Sequence, residues 1–255
     1  MPDDAQNRAM RALTDLGELR VWSLLVTVFG DLAPDGPLDG PTLSAIMGRI
    51  SIKPQATRVA LHRLRSDGWI MSEKRGRTSL HSLTKQGKTD STAAAKRIYA
   101  TPDQIGQTAT LLLTEHSDVT PDPSQFTRIA PRLFICAADA VLPENVMRLA
   151  PVDQEIPAWI SAQIQSAPLC SGYHELHRVL TDIDTALPDG TQLEALDSAV
   201  LRVMIVHAWR RLCLRHPALP RHVHSPDWRG HDCRALVTRL LSRFPRPTPD
   251  RINSP

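Results

Sequence analysis

No run of apolar residues in this sequence reaches the roughly 18 that a membrane-spanning helix requires. Its first ten residues, MPDDAQNRAM, lack the apolar core of a secretory signal. The four cysteines, Cys136, Cys170, Cys213 and Cys233, stand far apart without a CxxC pair, which argues against a disulfide framework. Aromatic residues make up only 4% of the chain. Neither GxSxG, HExxH nor a phosphate-binding P-loop is present. The expectation is a soluble protein of the reducing cytoplasm that is not an enzyme. At 255 residues and 42% hydrophobic, the chain is too apolar for a disordered polymer and long enough for two or three modest domains.

Lysine is also scarce. All five (Lys53, Lys74, Lys85, Lys88, Lys96) fall within 44 residues. The formal net charge of +3 hides a segregation: residues 1–100 carry 15 Lys+Arg against 10 Asp+Glu, residues 101–200 carry 4 against 14, and residues 201–255 carry 11 against 3. Within 49–97 the count is 12 against 3. A basic block beside an acidic one is either a solvated face or the footprint of a domain that meets a polyanion.

The periodicities supply an architecture. Apolar residues at 21, 24, 25, 28 and 29 predict a helix over 20–29, with Gly30 as its terminator. A turn-rich loop leads to a short helix over 42–49 that buries Leu43, Ile46 and Met47. Pro54 predicts a third helix to Asp67, stopped by Gly68. Segments 69–73 and 78–83 read as a hairpin around Lys74-Arg75-Gly76-Arg77, and Thr84 as the cap of a polar helix. Further on, 108–114 and 132–137 read as strands, 143–150 as a short helix, and 156–160 as an edge strand because of Pro157. Helices are expected over 174–183, 192–215 and 232–244. The fold class is α+β, divided into a DNA-binding domain over 15–100, a small middle domain over 101–166, a helical domain over 167–246 and a disordered tail over 247–255.

On the third helix, at about 100° per residue, Thr57, Ala60, Leu61 and Leu64 share the inner face. Gln55, Val59, His62 and Ser66 lie opposite, flanked by Arg58 and Arg63. Such a set suits a recognition helix. Gln binds adenine bidentately, Arg binds guanine bidentately, and a Val methyl can meet a thymine methyl. In isolation an ordinary amphipathic helix is the better explanation. The hairpin tilts the balance: Lys74, Arg75 and Arg77 crowd one tip, where repulsion costs stability unless phosphates neutralise it. Lys53 adds a phosphate contact at the helix start.

Several runs then carry a resemblance. Ser23-Leu24-Leu25-Val26-Thr27-Val28-Phe29-Gly30-Asp31, Arg58-Val59-Ala60-Leu61-His62-Arg63-Leu64 and Asp67-Gly68-Trp69-Ile70 look like the first helix, the recognition helix and the wing entry of the PaaX family of bacterial transcriptional repressors. The stretch 77–87 is similar to that family's wing and wing exit. Ile205-Val206-His207-Ala208-Trp209-Arg210-Arg211, Pro217-Ala218-Leu219-Pro220 and Asp227-Trp228 are similar to its C-terminal domain. The resemblance implies an N-terminal winged helix-turn-helix, a small ferredoxin-like (Cas2-like) middle domain and a helical C-terminal domain. It also implies a homodimer on an inverted-repeat operator of a catabolic operon, released by an acyl-CoA effector, of which phenylacetyl-CoA is the best known in the family. From His116 to Ala130 the chain departs from the pattern, being short and proline-punctuated.

Three other chemistries are in view. A Cas2-like nuclease would need metal-binding carboxylates at strand ends, and the chain offers Glu115 without a clear second. Cys213, His216, His222, His224, His231 and Cys233 are dense in soft and imidazole ligands, but their spacing matches no metal motif and no cofactor is assigned. Arg210, Arg211 and Arg215 suit the phosphates of an acyl-CoA, since guanidinium clamps phosphate bidentately. They suit pairing with the acidic middle segment equally well.

Overall fold

A computed structural model of the protein describes residues 2–116 and 122–252. The chain packs as two compact units, each assembled from separate stretches. The first comprises Met1–Lys96, Arg178–Ala208 and Leu236–Pro255, and the second Arg97–His177 and Trp209–Ala235. Residues of 167–246 contribute to both units.

The first unit begins with α1 (Pro2–Asp15), a helix the acidic, polar composition of the first residues did not suggest. Ala5, Ala9 and Leu13, one turn apart, are its buried stripe. α2 (Val21–Leu32) buries Leu24, Leu25, Val28 and Phe29. Gly30 does not end it. The helix continues to Leu32, and a Cβ at position 30 would lie 2.8 Å from Ser91 Oγ, so Gly30 answers to the close approach of a neighbouring helix. β1 (Leu38–Asp39) leads into α3 (Gly40–Arg49), where Asp39 caps Thr42 N at 2.7 Å. α4 (Pro54–Ser66) follows, and Gly68 takes a φ of 71° just beyond its end.

β2 (Ile70–Arg75) and β3 (Thr78–Leu83) pair antiparallel from Ile70↔Leu83 to Arg75↔Thr78, and β1 completes the sheet in the order β1-β3-β2. Thr84 then caps α5 (Lys85–Ile98), its hydroxyl accepting from Gly87 N at 3.1 Å.

The later stretches of this unit come from α7 (Ala167–Ala186), α8 (Ala195–Cys213) and α9 (Gly230–Arg243). Of these, α8 locks onto α2 and α3 through polar contacts. The Arg202 guanidinium donates to both carboxylate oxygens of Asp31, at 2.8 and 3.0 Å, and to the carbonyls of Leu241 and Phe244, both at 3.1 Å. His207 Nδ1 and Thr27 Oγ1 share a buried hydrogen bond of 3.0 Å, and Arg49 grips Asp197 at 2.6 and 2.9 Å.

The tail also departs from expectation. Pro249–Ile252 form a short helix, α10, with Ile252 buried, so an apolar anchor orders a segment whose prolines suggested disorder. Residues 253–255 lie outside the described ones.

In the second unit, β4 (Ala109–Thr114), β5 (Phe126–Ala130), β6 (Leu133–Ala137) and β7 (Val146–Val152) form an antiparallel sheet in the order β5-β6-β4-β7. Ala109, Ile129, Ile135 and Val152 pack with Leu219 and Val223, while Leu112, Phe126, Phe134 and Cys136 form a second cluster with Ala140 and Leu142. The central strand β4 reads as a continuous apolar run because its neighbours bury nearly all of it.

Two local readings are corrected here. The helix expected over 143–150 is strand β7, because pairing with the open edge of β4 overrides the helix propensity of Met147, Arg148, Leu149 and Ala150. The edge strand expected over 156–160 is the start of α6 (Ala158–Ile164), with Pro157 at its N-cap, where a missing N–H is harmless. A ferredoxin-like pattern also needs a helix between its last two strands, and residues 138–145 hold none.

Arg202→Met removes the bidentate partner of the buried Asp31 carboxylate and leaves it the more distant Arg246, at 3.7 Å, and should lower stability by about 3–5 kcal/mol in urea unfolding. The double variant with Asp31→Asn should recover part of that loss. A single variant as stable as the parent would show that the pair does not hold α2.

Candidate nucleic-acid interface

Helix α4 splits cleanly into two faces. Thr57, Ala60 and Leu64 are buried, while Gln55, Arg58, Val59, His62 and Ser66 are exposed, as the 3.6-residue period requires. Lys53 stands exposed at its N-cap. Arg58 Nη1 lies 3.4 Å from Gln55 Oε1, so the two side chains sit side by side on the outer surface, one turn apart. Arg63 is less free. Its guanidinium stacks over the Trp22 ring at 5.2 Å, and its Nε lies 3.6 Å from the Asp67 carboxylate.

The hairpin tip is more bare. Lys74, Arg75 and Arg77 are exposed, and Gly76 takes a φ of 63° that lets the chain reverse between Arg75 and Thr78. None of Lys53, Lys74, Arg75 and Arg77 has an ion-pair partner among the described residues. Three like charges on one turn repel, and a surrounding anion would relieve them. The first unit thus presents two cationic features, the outer face of α4 and the tip of β2–β3, both suited to phosphates and base edges.

Trp22 escaped selection as a site residue in the sequence, whereas Val59 was already placed on the outer face of α4. Trp22 falls off the apolar stripe of α2, at 21, 24, 25, 28 and 29, and an off-stripe tryptophan is the signal that could have marked it.

The arginines expected to hold an effector lie at the end of α8 and just beyond it. Arg210 is half-buried near the end of α8, and burial pulls its guanidinium below the usual value. Arg211 is also half-buried, and Arg215 is exposed beyond the helix. Many other C-terminal arginines are engaged: Arg239 and Arg243 with Asp184, Arg243 also with Asp189, Arg221 and Arg229 with Asp232, and Arg246 with Asp31.

The histidine- and cysteine-rich stretch is packing. In the second unit, Tyr173, Trp209, His216, His224, Trp228 and His231 form one aromatic cluster, with His224 stacked on Trp228 at 4.8 Å. His216 donates from Nδ1 to Pro217 O at 2.8 Å and accepts at Nε2 from the Tyr173 hydroxyl at 2.7 Å. Burial pushes the Cys213 thiol up to about 12, and also raises Cys233, which donates to Tyr173 O at 3.4 Å. Among the described residues, no three of His, Cys, Asp and Glu are grouped so as to hold a metal ion. Glu115, the nuclease candidate, lies exposed beyond β4 and 3.5 Å from His116. No helix among the described residues is long and apolar enough to cross a membrane.

Comparison with known proteins places these features. A family model described as PaaX-like protein matches residues 20–87, and one described as PaaX-like protein C-terminal domain matches residues 165–251. The transcriptional repressor PaaX of Escherichia coli (strain K12) is 23% identical over 253 residues, covering 87% of this chain and 79% of that protein. Among solved structures, an uncharacterized protein, Rv0674 from Mycobacterium tuberculosis, superposes with a TM-score of 0.52 at 18% identity. That match covers 89% of this chain and 98% of the other, and shows a shared fold.

The aromatic cluster generates a pH dependence. Burial holds His216 and His231 down at about 4 and His224 at about 3, with Arg97, Arg234 and the neighbouring histidines adding to the effect. In the unfolded chain these rings take up protons near 6.5, so between 6.5 and about 4 the unfolded state binds more protons. Stability should therefore be complete above pH 6.5 and fall steadily as the pH drops to 4.5. A His224→Phe variant should show a shallower slope of unfolding free energy across that window. An unchanged slope would exclude the cluster as its source.

Proposed function

The chain belongs to the PaaX-like family, and from that premise we propose that it is a sequence-specific DNA-binding repressor whose α4 enters the major groove. Its β2–β3 hairpin then acts as the wing of a winged helix-turn-helix. The observation that carries the reading is the outer face of α4. Gln55, Arg58 and His62 project together from a helix whose opposite face is fixed in the core, and the unpaired Lys74, Arg75 and Arg77 stand on the following hairpin. Gln55 and Arg58 supply the bidentate donor and acceptor patterns that read adenine and guanine edges. Lys53 and the hairpin cations supply phosphate contacts that fix register without reading sequence. Arg63, held by Trp22 and Asp67, contributes from the edge of the face.

The rest of the proposal is coarser. We read residues 15–100 as the DNA-contacting part, 101–166 as the small middle part and 167–246 as the part that serves dimerisation and effector response, in a cytoplasmic homodimer on an inverted repeat. Release by an acyl-CoA such as phenylacetyl-CoA, with Arg210, Arg211 and Arg215 on its phosphates and a catabolic operon as its target, follows from the family. The exposed position of Arg215 is the feature of this chain that favours it. Selection of binding sites from random duplex DNA, followed by titration of acyl-CoAs against the winning site, tests the whole reading. Failure to enrich any site would reject it.

Two substitutions separate the roles. Arg58→Ala should cost about 1–3 kcal/mol on the selected site and relax preference at one base position. Arg75→Ala should weaken all duplexes alike and reduce the slope of log affinity against log salt by about one. Both are readable by fluorescence anisotropy across a salt series, and unaltered affinity in both would move the interface elsewhere.

A further inference from the structure

α2 and α4 border an open groove of about 520 Å³ in which the apolar groups of Trp22, Ala56 and Val59 meet the polar ends of Lys53, Gln55 and Arg63. Val59 is 61% exposed at the centre of an otherwise polar helix face. A β-branched residue there gains nothing from burial and is a poorer helix former than alanine. The lining is thus apolar in the middle and cationic at its sides, and its occupant must match both.

We infer that this groove seats the 5-methyl group of a thymine in the operator, with Val59 as a specificity-determining contact. The inference rests on the reading of α4 as the recognition helix. In the major groove, the thymine methyl is the apolar group among the hydrogen-bonding patterns that the four base pairs present, and it is flanked by phosphates on both strands. That pairing of methyl and anion is what Val59 with Lys53 and Arg63 would meet. An apolar segment of a protein partner would leave Lys53, which has no ion-pair partner among the described residues, without a role. Trp22 acts as a positioning residue: stacked against Arg63, one turn beyond Val59, it keeps the guanidinium beside the groove.

The experiment uses the full chain and a duplex enriched by selection, with each thymine replaced singly by deoxyuridine, which removes the methyl and leaves the hydrogen-bonding edge unchanged. At one or two positions the replacement should weaken binding by about three- to tenfold, the range expected for one buried methyl group. In Val59→Ala, which favours the helix and should fold, the same replacements should have no effect. Tight binding with no sensitive thymine, or sensitivity that survives Val59→Ala, overturns the inference and leaves DNA recognition standing. No binding to any duplex overturns both. A change in mass by light scattering in Val59→Ala, without thymine dependence, would assign the groove to a second copy of the chain.

Discussion

The Asp31 carboxylate has no exposed side-chain surface, and the Arg202 guanidinium that grips it also closes the last carbonyls of α9. Two desolvated charges are tolerable only when their hydrogen-bonding capacity is filled, and here both carboxylate oxygens and three guanidinium nitrogens are engaged. The consequence is topological. Asp31 lies near the end of α2, the helix against which α4 packs, and Arg202 arrives from 171 residues further along the chain. The segment that presents α4 and the hairpin is therefore braced by α8, whose Arg202 also ties in the end of α9. Thr27 with His207 and Arg49 with Asp197 repeat the arrangement on either side.

Against that frame the distribution of charge acquires a meaning that totals do not have. The C-terminal arginines are largely consumed: Arg202, Arg239 and Arg243 hold aspartates, and Arg234 donates to the carbonyls of Arg97 and Ala100 at 3.1 and 2.8 Å while stacking on Trp209. These cations build the structure. Lys53, Arg58 and the three cations of the hairpin tip stay exposed with no carboxylate among the described residues to hold them, while Arg63 leans on Asp67. Lysine, a compact charge without the planar fork of arginine, is confined to residues 53–96 of the same stretch of chain.

The histidines show why density of ligand types is a poor guide to chemistry. His216, His224 and His231 cluster in space, yet their partners are Tyr173, backbone carbonyls and each other. Rings buried among tryptophans and arginines are held neutral, and the thiols beside them stay protonated, so burial commits these groups to packing and hydrogen bonds.

The sequence by itself determined the elements whose signals are local. The stripe of α2, the proline-started α4 with its outer Gln55, Arg58 and His62, the turn at Gly76 and the cap at Thr84 depend on periods and backbone preferences that a few residues specify. It failed where a distant partner decided. Val146–Val152 became a strand because β4 had an open edge, Gly30 serves the close approach of Ser91 rather than a helix stop, and Arg202 became the anchor of α2 because folding buried it beside Asp31. Hydrogen-bond edges, close approaches and desolvated charges exist only once remote segments meet, and no window of sequence contains them.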